Sequence, residues 1–345
     1  ERALGGMGMF LRCRAIALAC RVMVVKAMLI PLLTYGAELW GMSEIRTTPL
    51  QRILNTAIRN LLQLRSRSSV VSSATIGMEL GIPNLHAIVS ALRARAFFKY
   101  PSLKTIIVKL YMATRPTRCR GWIRGSLCWL RRYGGFDVDE LLRLRFPLPE
   151  YAEDEIKVIS KRVRSDRWQH YIDTKGGVSG AAYSEAGFRL TKHFIFKAVL
   201  YPQLCSGITW LVKARLGAIW TGSRLLQIRY LPEIYRDLCP CCERRTCETL
   251  VHLVLVCNRW HRERDRWLNP IIAEMPELTD VEKVRVLLGG RVIIGDQIEG
   301  NDPIVQHYSV PNWCIMRNMP GAVDVELDEA FNRDAPDLGA AIAVA

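Results

Sequence analysis

Four side chains in one short stretch restrict this chain more than anything else in it. Cys239-Pro240-Cys241-Cys242 is followed by nine residues, His252, four residues and Cys257. Cysteines three apart put two sulfurs on one tight turn. Residues 246–257 are apolar enough to return as a helix or strand and deliver His252 and Cys257 from the other side. Three thiolates and one imidazole are the donors of a closed tetrahedral zinc site, which is structural because no position stays open. The expectation is therefore Zn2+ held by Cys239, Cys242, His252 and Cys257. About thirty residues cannot bury enough apolar surface to fold alone, so the ion would supply that free energy. Cys241 and Cys247 lie in the same stretch, and either can replace an assigned ligand. The plainer alternative is a set of free, partly buried thiols.

The other cysteines agree with a reducing setting. The chain has 11 Cys and opens Glu1-Arg2-Ala3-Leu4, with neither an initiator Met nor a signal segment. An odd, scattered set of that kind favours reduced thiols and metal binding over a disulfide framework. The opening suggests a fragment, and localisation defaults to nucleus or cytoplasm.

Charge is divided along the chain. The net charge is +15, but residues 1–270 carry +23 and residues 271–345 carry −8. Of the 48 basic residues 37 are Arg, whose planar fork matches phosphate oxygens. A long Arg-rich stretch of this sign is the footprint of a polyanionic partner, RNA or DNA. Two local clusters sharpen it. Arg118, Arg120 and Arg124 surround Trp122, a mixture suited to phosphate contact and base stacking. Arg259, Arg262, Arg264 and Arg266 follow the last metal ligand directly, as a basic helix behind a metal-organised knuckle.

The apolar periodicity is helical. Residues 15–29 read as a helix with Arg21 and Lys26 near one edge, ended or kinked by Pro31. Those two charges argue against a membrane span, since each costs about 2.5–3.5 kcal/mol at a bilayer centre. In residues 48–64, Leu50, Ile53, Leu54, Ala57, Ile58, Leu61 and Leu62 form one apolar stripe. Residues 66–73 are a break, a short helix ends at Gly81, and Asn84 caps a helix reaching Lys99. Further helices are expected over 155–171 and 211–228, with a glycine-rich turn at 175–180 between them. The tail beyond 271 is acidic, weakly periodic and partly disordered by expectation.

At this point the residues resemble a known family. Lys26-Ala-Met-Leu-Ile-Pro-Leu-Leu-Thr-Tyr35-Gly36-Ala37-Glu38-Leu39-Trp40 is similar to the segment after the palm of non-LTR (LINE-type) retrotransposon reverse transcriptases, where the thumb begins. Cys239-Pro-Cys-Cys242, Glu248-Thr249, His252 and Cys257 resemble the CCHC knuckle near the end of the same polyproteins, and Lys213-Ala-Arg215-Leu216-Gly217 resembles the approach to it. The resemblance spans roughly residues 15–267. It implies that Cys239, Cys242, His252 and Cys257 hold an ion and that the knuckle binds template RNA or target DNA. The polymerase carboxylates are not carried over, because they lie upstream of the thumb-like segment. Tyr151-Ala152-Glu153-Asp154 is a lookalike of their hairpin, but prolines precede it, a polar helix follows it and it stands in the wrong order.

The expectation is thus a mainly α chain without a polymerase core of its own. It would consist of a thumb-like helical segment (1–73), a basic helical connector (74–204), a zinc-knuckle domain (205–270) and an acidic tail (271–345). The function expected is nucleic-acid binding by part of a reverse transcriptase. The alternative is a zinc-dependent module that docks a protein.

Overall fold

The computed structural model describes residues 2–64, 71–100, 122–133, 153–185, 188, 195–227, 229–289, 292–294 and 306–308. These residues are mainly helical, as the periodicity implies. The one β element among them is an antiparallel pair, Val292–Ile294 with Gln306–Tyr308. Among the described residues no helix is long and apolar enough to cross a membrane.

The first helices wrap one buried cation. Helix Arg2–Arg12, helix Leu18–Val24 and helix Glu44–Leu61 pack through Leu11, Leu18, Val22, Leu54, Ile58 and Leu61. Arg21 is not at an edge of this packing; it is 1% exposed. Its guanidinium donates to the carbonyls of Leu11 (2.9 Å), Ile16 (3.0 Å) and Leu61 (2.7 Å). Leu11 and Leu61 lie in the last turns of two helices, where carbonyls have no intrahelical partner and the helix dipole is negative. A cation there satisfies acceptors that an apolar side chain would orphan, which is why a charged residue outcompetes an edge position.

Pro31 does not stop the run. Residues Val25–Leu29 form a π-helical turn and the helix resumes over Ile30–Leu33. The wider turn puts Pro31 in the first turn of the resumed helix, where its missing N–H costs little. Asn84 caps the next long helix as its residue type suggests: its side chain accepts from the Ala87 N–H (3.2 Å), opening helix Leu85–Lys99.

The core runs on through Ile76, Leu85 and Val89 to Ile208, Val212 and Leu216, so residues on both sides of position 73 share it. At its centre, Arg215 Nε lies 2.9 Å from Glu79 Oε1, both side chains 1% exposed. Tyr183 donates to the other Glu79 oxygen. Arg215 also donates to the carbonyls of Phe188 (2.8 Å) and Leu288 (2.9 Å). A second cluster joins Phe97, Phe98, Ile123, Leu127, Leu130, Ile156 and Val163, between helices Leu85–Lys99, Trp122–Tyr133 and Glu153–Lys175.

Two turns differ from expectation. The glycine-rich stretch at 175–180 is a break at Gly176, after which helix Gly177–Glu185 begins. The helix expected over 211–228 is two: Cys205–Arg215 and Gly222–Gln227. Gly217, at φ +62°, takes the left-handed conformation that ends the first of them. Beyond 270, the first part of the acidic segment is ordered. Helix Asp280–Leu287 opens with a Thr279–Glu282 capping box, and Ile271, Met275, Leu278, Val286 and Leu287 pack with Val254, Leu255 and Leu268.

Candidate metal centre

The four expected ligands come together. The ligand atoms of Cys239, Cys242, His252 and Cys257 all lie within 4.8 Å of one another, a cluster that can hold a metal ion. The first pair sits on a tight turn. The Cys239 N–H donates to the Arg244 carbonyl (3.0 Å) and the Glu243 N–H to the Cys239 carbonyl (2.9 Å), with Glu243 in the left-handed region at φ +56°. The Cys241 N–H donates to Cys239 Sγ at 3.4 Å.

The second pair depends on an unusual helical turn. His252 and Cys257 are five residues apart, which in an α-helix places side chains about 140° apart around the axis. Residues His252–Val256 are instead π-helical, and the Cys257 N–H closes the turn on the His252 carbonyl at 2.7 Å. Residues five apart then stack on one face. Helix His261–Trp267 braces the exit: Arg264 is buried and donates to the carbonyls of Cys257 (3.0 Å) and Val254 (3.5 Å).

The imidazole is held in the orientation a ligand needs. His252 Nε2 faces Cys242 Sγ at 3.4 Å, and Nδ1 is 3.2 Å from the Thr246 hydroxyl. That hydroxyl fixes the ring and leaves Nε2 for an ion. Cys239 and Cys257 are fully buried and His252 nearly so. Burial works against ionising Cys242, but N–H groups of Arg244 and Asn258 and the thiols of Cys239 and Cys257 outweigh it and bring its pKa below the ordinary thiol value. Burial, with Cys239 and Cys242 nearby, pushes the Cys257 thiol up to about 11. Without an ion, then, the cluster favours one thiolate over several crowded together.

Cys241 belongs elsewhere. It forms a second cluster with Cys239 and Glu248, whose ligand atoms also lie within 4.8 Å of each other. Burial, then Glu248 and Cys239, push its thiol up to about 11. Cys247 is in neither cluster. Glu248 is buried and takes the Gly222 N–H on Oε2 at 2.8 Å. A Cβ at Gly222 would stand 2.8 Å from that oxygen, so glycine alone allows this approach. Sequence reading reached Glu248 only through a resemblance and missed Gly222 and Thr246; a glycine opening a short helix carries no signal of what touches it.

The basic residues divide. Arg259, Arg262 and Arg266 are exposed beside the cluster, whereas Arg264 is spent inside it. Arg124 is exposed on helix Trp122–Tyr133. Trp122 is no free stacking platform: its Nε1 donates to the Glu38 carbonyl (2.8 Å), Tyr100 stacks on it at 5.5 Å and Arg93 lies 5.2 Å from its ring. Arg118 and Arg120 lie outside the described residues. Glu153 and Asp154 open helix Glu153–Lys175 and pair with Arg95 (3.2 Å) and Lys157 (3.0 Å), the positions of helix-terminal surface charges. Comparison of the chain with protein-family models, with curated proteins and with solved structures finds no match.

Proposed function

We propose that Cys239, Cys242, His252 and Cys257 hold a structural Zn2+ and that the knuckle so formed helps bind RNA or DNA. On this reading the chain is akin to the C-terminal part of a non-LTR retrotransposon reverse transcriptase, without the polymerase core. The observation that carries it is the donor set: three cysteines and one histidine with converging ligand atoms. Two thiols and an imidazole suit several soft ions, but a closed set of four with a third thiol suits Zn2+. The ion would tie the Cys239 turn to the π-helical turn and so fix where Arg259, Arg262 and Arg266 stand. Those three guanidiniums, in a chain carrying +15, supply contacts to phosphate. The setting is the nucleus or cytoplasm, and no membrane partner is implied.

Two measurements test this. Metal analysis of the purified chain is expected to find at least one Zn2+ that a chelator removes. RNA affinity is expected to fall steeply with salt, and replacing Arg259, Arg262 and Arg266 together by Ala should reduce the log–log slope by roughly 2. Absence of zinc would refute the knuckle. Affinity for a partner protein that ignores salt, with no RNA binding, would favour the docking module instead.

A further inference from the structure

We propose that Cys239, Cys241 and Glu248 form a second, open site for a thiophilic divalent ion, sharing the Cys239 thiolate with the closed site. This rests on the reading of the closed site as a metal centre. Geometry is the first support. The two sulfurs and a Glu248 oxygen lie within 4.8 Å of one another, as do the ligand atoms of the closed set. Donors at that spacing need only small side-chain movements to reach coordination distances of about 2.0–2.3 Å around one ion.

Glu248 is the second support. It is 6% exposed, yet among the described residues no Lys or Arg is paired with it. Its oxygens meet one backbone N–H, from Gly222, and the Cys241 thiol at 3.6 Å. Buried carboxylates are otherwise paired with a cation or bound to a metal. Among the described residues the other buried carboxylate, Glu79, has its guanidinium at 2.9 Å. The groups that the Glu248 oxygens do meet, a backbone N–H and a thiol, supply no counter-charge.

A second divalent ion would supply the counter-charge that Glu248 lacks among the described residues. Binding it displaces the Cys241 proton to solvent, forms bonds to Cys239, Cys241 and Glu248, and makes Cys239 a bridge. Two thiolates and a carboxylate suit Zn2+ or Cd2+. Three protein ligands leave a fourth position, and Cys241 is exposed, so this ion exchanges with solvent while the closed one does not.

The test is a Cd2+ titration of the full reduced chain, read by the thiolate-to-metal charge-transfer band and by ions counted per chain in native mass spectrometry. Two ions are expected for the wild type, the second removed by a mild chelator. Cys241→Ser is expected to bind one, and Glu248→Gln also one, because Gln keeps an acceptor for the Gly222 N–H. A single ion in the wild type overturns the second site, as does an unchanged count of two in Cys241→Ser. Binding of no ion at all overturns the closed metal centre as well, and is thereby distinguished from failure of the second site alone.

Discussion

The helical body buries Leu18, Val22, Leu54, Leu61, Ile76, Leu85, Val89 and Val212 almost completely, and it even accommodates a fully buried Arg21 among them. Between Ala218 and Ile271, by contrast, the described buried residues are Thr221, Gly222, Arg224, Cys239, Glu248, His252, Cys257 and Arg264, with no Leu, Ile, Val, Phe or Met. A buried aliphatic side chain contributes about 1.5–3 kcal/mol, so the body holds itself together by removing apolar surface from water. The metal segment removes less of it, since Val254, Leu255 and Leu268 are only partly buried, against the cluster that runs from Ile271 to Leu287. Its interior is made of donor atoms, and donors crowded together repel until a cation joins them. On the proposed reading, the same chain contains a region held by apolar burial and one that an ion would hold.

Cys257→Ser, or a strong chelator, separates the two regions most sharply. Structural zinc in small modules contributes an apparent ~10–16 kcal/mol at neutral pH. Amide exchange is expected to become fast over 239–267 and stay slow in helices Leu18–Val24 and Glu44–Leu61. Loss of protection in those helices too would show that the body leans on the module, and the comparison would collapse.

Within the body the largest effect belongs to its buried ion pair. Burial raises the Glu79 carboxyl, and Arg215 and Tyr183 oppose that shift. Glu79→Gln leaves the Arg215 guanidinium buried without its counter-charge, at a cost of about 3–5 kcal/mol in chemical denaturation. Zinc affinity of the folded protein should not change, and a parallel loss of metal would contradict the separation.

Acid acts on the body through His86. Burial, then Arg167, lower its pKa to about 4 against a smaller opposing pull from Glu44. The unfolded chain protonates this ring from pH 6.5 downward while the folded one does not until about pH 4. Stability is therefore complete above pH 6.5 and declines by up to about 3 kcal/mol as pH falls to about 4. Denaturation in chelator isolates the body, and His86→Leu is expected to flatten the profile. A slope that survives the substitution assigns the titration to another group.

The smallest effect belongs to the module. Thr246→Val removes the hydroxyl beside His252 Nδ1 and is expected to weaken metal affinity about 10–100-fold with no change in body stability. An unaltered affinity would mean that packing alone orients the ring.

Legibility followed the same division. The ligands were readable because metal chemistry fixes residue type and approximate spacing, and a cap such as Asn84 was readable because its hydrogen bond reaches only three residues. What was hidden depends on partners far along the chain. Arg21 looks like an edge residue until Leu61, forty residues on, offers its carbonyl. Arg215 reads as part of an approach to the knuckle, yet its partner is Glu79. Pro31 reads as an end or a kink, and periodicity cannot announce the π-helical turn that carries the helix past it. Arg264 and Trp122 share the residue types of a nucleic-acid face, and only packing shows that carbonyls already occupy their donors.

One hydrogen bond from Arg215 joins residues 73 apart, to the Leu288 carbonyl. The metal segment lies between them, and at its two ends Leu216, Ala218 and Leu288 pack on the body's core. In topological terms the knuckle is a cassette whose two ends meet. Such a loop can be lengthened, exchanged for another or replaced by a short linker while the remainder keeps its frame.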